Sequence, residues 1–66
     1  MAIAKVIELI SEGKSIENAL ENALKESSKT VKNIKHIYAE GIQAIVNKNK
    51  IKTYRINAKV TFIVGK

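Results

Sequence analysis

The chain has 66 residues, with twelve Lys and Arg against six Asp and Glu for a formal charge of +6, and it contains neither Cys nor Trp. A chain this short buries only about 60% of its unfolded surface on folding, so it sits near the margin of independent stability. Disulfides are excluded, and one histidine, His36, cannot make a Cys/His zinc site. The remaining remedy for a small core is self-association.

The positive charge is spread along the sequence, and the only aromatic residues are Tyr38, Tyr54 and Phe62. RNA-reading strands carry stacking aromatics, so no nucleic-acid partner is expected. No apolar run approaches the ~20 residues of a membrane span, and no membrane partner is expected. Residues 1–12, interrupted by Lys5, Glu8 and Glu12, do not read as a signal peptide, and the expected location is cytoplasmic.

The first predicted element is a strand from Ala2 to Ser11, rich in Ile and Val. Both of its faces are apolar: Ile3, Ile7 and Leu9 on one, Ala4, Val6 and Ile10 on the other. A helix of the same subunit can cover one face, and a neighbouring subunit is the simplest cover for the other. Gly13 is expected to break the strand, and Ser15 to cap a helix with Glu17 in its first turn. The spacing of Ile16, Ala19, Leu20, Ala23 and Leu24, continued by Ser27 and Val31, predicts an amphipathic helix ending near Asn33.

A second strand is expected from about Ile34 to Val46, with Gly41 marking a bulge or bend. Asn47-Lys48-Asn49-Lys50 reads as a hairpin turn, because Asn tolerates left-handed backbone. The last strand, Ile51 to Val64, alternates. Tyr54, Ile56, Ala58, Val60, Phe62 and Val64 form an apolar row to pack on the helix. Thr53, Arg55, Asn57, Lys59 and Thr61 form a polar row facing solvent, a lumen or a ligand. The expected fold is α+β in the order β-α-β-β, with a three-stranded antiparallel sheet wrapped on one helix. Residues 1–66 read as a single domain.

This order, with the residues at its junctions, resembles the dodecin family. The resemblance is carried by Lys5-Val6-Ile7-Glu8, Ser15-Ile16-Glu17-Asn18-Ala19 and Ser28-Lys29-Thr30-Val31-Lys32-Asn33, then Lys52-Thr53-Tyr54-Arg55-Ile56 and Lys59-Val60-Thr61-Phe62. It implies a hollow homododecamer that binds flavins, riboflavin or FMN, between subunits for storage. In the family a Trp stacks on the flavin ring and a Gln beside a Tyr hydrogen-bonds its polar edge. The corresponding positions here are His36 and Arg55. Members lacking that Trp include calcium-associated ones, and the Tyr-Arg-Ile run is similar to theirs. A structural or calcium-associated shell is therefore the alternative.

The side chains expected to line a pocket are His36, Tyr38, Glu40 and Arg55, provided the register does not slip before Gly41. Arg55 reads as a ligand contact or as half of an inter-subunit ion pair with Glu40. Glu8 reads as the partner of a neighbour's Lys or as one of three copies converging on an axis. No Gly-rich phosphate loop, paired-carboxylate motif or nucleophile–base pair is present, so no enzymatic activity is expected.

Overall fold

The computed structural model describes residues 2–65. The elements run β1 (Ala2–Gly13), α1 (Ile16–Ser27), β2 (Ile34–Asn47) and β3 (Lys50–Gly65). The sheet order is β1-β3-β2, and both of β3's neighbours run antiparallel to it. The last strand thus inserts between the two that precede it, with α1 as the crossover.

Strand β1 continues through Gly13, two residues past the expected end, in unbroken register with β3 from Ala2 opposite Gly65 to Gly13 opposite Tyr54. Glycine is required at the end of this strand. A Cβ on Gly13 would lie 2.5 Å from the Ala19 backbone nitrogen and 2.7 Å from Asn18 Oδ1. The chain then turns into α1 under local control. Ser15 Oγ accepts from Asn18 N at 2.9 Å, and Asn18 Oδ1 accepts from Lys14 N at 3.0 Å. Two further bonds tie the helix flank to the strand: Ser11 Oγ donates to Ala19 O, and Asn22 Nδ2 donates to Glu12 O, both at 2.8 Å.

The helix stops at Ser27, well short of the expected Asn33. Ser28 Oγ bonds back to Lys25 O, and Ser27 O receives the amides of Thr30 and Val31. These hydroxyl and β-branched residues compete with helical bonding, which is why the apolar stripe runs on without the helix. Asn33, with φ of 62°, swings the chain into β2. At the hairpin, Lys48 and Asn49 both take left-handed backbone, φ 54° and 63°, as a two-residue primed turn requires.

The core lies where α1 crosses β3. Ala19 and Ala23 of the helix meet Ile56 and Ala58 of the strand, with Leu9, Leu20 and Ile37 packed around them. Three alanines at the contact let helix and sheet approach closely. Ile16 and Leu24, assigned to the stripe by spacing, are 39% and 43% exposed and lie at its margin. Ser27 is buried, and its hydroxyl has no hydrogen-bond partner among the described residues.

The molecule is long and poorly covered. It extends 52 × 19 × 14 Å, and its radius of gyration of 13.6 Å exceeds the roughly 11 Å of a compact chain of this length. Its accessible surface is 5111 Å², against about 4,200 Å² for a compact protein of this mass. The excess is partly apolar: Ile3, Val6 and Ile10 of β1 are 60%, 53% and 67% exposed.

Two substitutions test the local geometry. Gly13→Ala should lower stability by about 2 kcal/mol through overpacking against the helix start. Lys48→Asn combined with Asn49→Gly should raise it by about 1 kcal/mol by relieving left-handed backbone. Thermal melts of the assembled protein check both signs.

Candidate functional site

Residues directly opposite one another in an antiparallel sheet share a face, so the register assigns the paired polar side chains to a face. On the face away from α1, β3 presents Thr53, Arg55, Asn57, Lys59 and Thr61. Strand β1 adds Val6, Glu8, Ile10 and Glu12 opposite Thr61, Lys59, Asn57 and Arg55. On the other side of β3, His36 faces Thr61, Tyr38 faces Lys59, Gly41 faces Asn57 and Gln43 faces Arg55. The face is a ladder of cross-strand rows, with a cation of β3 at the centre of two of them.

The ladder holds two ion pairs. Arg55 donates from Nη2 at 2.7 Å and Nε at 3.0 Å to the same oxygen, Glu12 Oε2. Lys59 Nζ lies 3.3 Å from Glu40 Oε1. Within one chain, Arg55 and Glu40 are thus paired with other residues. The register places Arg55 at the Glu12 row, and Glu40 lies nearer Lys59. Glu8 stands opposite Lys59 in register, but no ion pair from Glu8 occurs among the described residues.

The register does slip at the suspected place. Strand β2 has irregularities between Ile34 and His36, between Ala39 and Gly41, and between Ile45 and Val46. The middle one makes Glu40 itself the extra residue, so its side chain still reaches the Lys59 row. His36, Tyr38, Glu40 and Arg55 all lie on the ladder face, and the structure divides them into two groups. His36, Tyr38 and Glu40 gather about Lys59 and Thr61. Arg55 lies six residues of β3 away from Thr61, about 20 Å at the usual strand rise.

Between the groups lies an open cavity of about 310 Å³ lined by Glu8, Leu9, Ile10, Glu40, Asn57 and Ala58. It falls at the lower end of the ~300–1,000 Å³ range of small-molecule sites. Gly41, opposite Asn57, has no side chain to fill it. Among the described residues no group of three or more His, Asp or Glu side chains is placed to hold a metal ion.

Two residues outside the expected pocket set matter here. Glu12 neutralises Arg55, and Gln43 stands across the strand from it with an amide. Neither had a motif to mark it, since nearness to Arg55 depends on strand register: Glu12 is 43 residues away in sequence, and Gln43 lies on the neighbouring strand β2.

A flavin-class ring needs a surface to stack on and a donor–acceptor edge to bond. The row Glu12–Arg55–Gln43 presents hydrogen-bonding groups, and His36 and Tyr38 present exposed ring faces. Within one chain the His36 row and Arg55 stand at opposite ends of the ladder.

The dodecin family model matches residues 3–65. The chain belongs to the dodecin family. Its fold is similar to that of a Thermus thermophilus dodecin variant carrying a tryptophan-to-phenylalanine replacement, at TM-score 0.90 and 21% identity, covering 100% of both chains. It is similar to dodecin from Streptomyces davaonensis at TM-score 0.88 and 17% identity, covering 98% of this chain and 97% of that one. For dodecin from Streptomyces coelicolor the values are 0.89 and 14%, with 98% and 94% covered. No curated protein matches the chain.

Glu12→Gln removes the charge that holds Arg55. Both side chains are about half exposed, so the pair contributes less than about 1 kcal/mol. Urea unfolding should show a loss within that limit, and a larger one would mean the pair is shielded from solvent in the assembled protein.

Proposed function

We infer that the chain is one subunit of a hollow homododecamer that binds and stores a planar, flavin-class ligand at sites between subunits. The observation that carries this reading is the division of the ladder face. Exposed ring platforms, His36 and Tyr38, sit at one end, and a hydrogen-bonding row, Glu12–Arg55–Gln43, sits at the other. The separation suits a site completed by a neighbour and no site within one chain. The apolar residues left open on the same face, Val6 and Ile10, are suited to the same neighbour.

In this reading the role of each residue is physical. His36 and Tyr38 offer flat surfaces for stacking, with less area than an indole would give. Arg55, held in place by Glu12, donates to a ring carbonyl or to a phosphate. Glu40 fixes Lys59 at the middle of the face. The bound ring would be sequestered, not transformed, because no nucleophile and base are paired on this face. The protein acts in the cytoplasm in this reading, and among the described residues no helix is long and apolar enough to cross a membrane.

One observation favours a second reading, a shell that stores no flavin and is structural or calcium-associated. Arg55 is already engaged by Glu12, so its best donors are occupied before any ligand arrives. Fluorescence decides between them. Titrating riboflavin and FMN with the purified protein should quench flavin emission at micromolar concentrations. Arg55→Ala should weaken binding about tenfold, as expected for a charge-assisted hydrogen bond. His36→Trp should strengthen it by enlarging the stacking surface. Absence of quenching with both flavins would rule out flavin storage. Bound calcium, with a melting temperature lowered by chelator, would then support the calcium-associated shell.

A further inference from the structure

The charge of this chain is segregated in a way that its net value hides. Residues 1–40 hold six Lys and six Glu and are neutral, while residues 41–66 contain no acidic residue and carry the whole excess of +6. Arg55 and Lys59 are neutralised by Glu12 and Glu40. Lys48, Lys50 and Lys52 form no ion pair among the described residues.

These three lysines share one structural feature. Strand β1 ends at Gly13 opposite Tyr54, so beyond that row β2 and β3 continue alone as a two-stranded ribbon. Its rungs are Ile45–Thr53, Val46–Ile51 and Asn47–Lys50, closed by Lys48 and Asn49. Val46 and Ile51, directly opposite each other, are 61% and 56% exposed. The ribbon end therefore carries an exposed aliphatic pair, with uncompensated lysines at neighbouring positions of the same hairpin end. In a symmetric assembly, tips packed on one another would gather like charges, so a second tip is a poor cover for the pair.

We propose that this hairpin end docks on an anionic lipid surface. Lysine heads reach the phosphate level on flexible stems while the aliphatic pair enters the headgroup boundary. This departs from the expectation of no membrane partner, which rested on the lack of a spanning segment. Nucleic acid is the competing polyanion. The tip has no Arg for base edges and no aromatic for stacking, and a phosphate groove gives Val46 and Ile51 nothing to bury against. One tip binds weakly, and the copies in an oligomer add by avidity.

The test is sedimentation of the intact oligomer with phosphatidylcholine vesicles containing phosphatidylserine, and with pure phosphatidylcholine vesicles. The protein should pellet with the first at low salt, release at high salt and ignore the second. Replacing the three lysines together (K48Q, K50Q, K52Q) should weaken binding at least tenfold. Lys50→Gln alone should weaken it about fivefold, and serves if the triple variant elutes abnormally. Val46→Ser with Ile51→Ser should weaken binding without changing the elution volume. Failure of the wild type to pellet with the anionic vesicles would overturn the proposal. So would undiminished binding by the lysine variants, or a smaller oligomer on loss of the aliphatic pair. Duplex DNA that strips the protein from vesicles, with both polyanions indifferent to the aliphatic pair, would assign the tip to nucleic acid instead.

Discussion

A twelve-residue helix is about 18 Å long, and it lies on a sheet whose strands of up to sixteen residues extend the molecule to 52 Å. That mismatch governs the rest of the structure. The helix can bury only the middle of the central strand, where Ile56, Ala58 and Val60 disappear from solvent. Each further part of the sheet needs another cover or stays open. Lengthening the helix is prevented locally by Ser27, Ser28 and Thr30, so the sheet's excess length is built in.

Placing β3 at the centre of the sheet has a second consequence. Its alternation drives one row into the helix and turns the other, Thr53 to Thr61, onto the opposite face. The cations of that row draw carboxylates from both neighbours, Glu12 from β1 and Glu40 from β2. Each outer strand is thereby keyed to the middle one by charge as well as by backbone bonding. Half-exposed pairs of this kind add little stability. Their effect is on side-chain position, since they leave Arg55 oriented toward β1 and Lys59 toward β2, while His36 and Tyr38 form no ion pair among the described residues.

Most of the fold is legible in the residues. Ser15 announces the helix, Gly41 the bulge, the Asn-containing tetrapeptide the turn, and the β3 alternation the two faces. The helix end was not legible, because Val31 keeps the apolar period after the backbone has already turned at Ser28. The site was half legible. Alternation put His36, Tyr38, Glu40 and Arg55 on one face, and that holds. Which of them are neighbours depends on how far β2 and β1 slide along β3, and composition does not encode that distance. Glu12 illustrates the point. It looks like an ordinary surface glutamate until the register sets it opposite Arg55.

A sheet this exposed should be folded only in company, and dilution measures that directly. Sedimentation velocity and far-ultraviolet circular dichroism would be followed together on one sample across a concentration series. The account predicts a single large species that loses mass and secondary structure in the same step, with no folded monomer at any concentration. A monomer that keeps its circular dichroism and melts cooperatively at high dilution would contradict it.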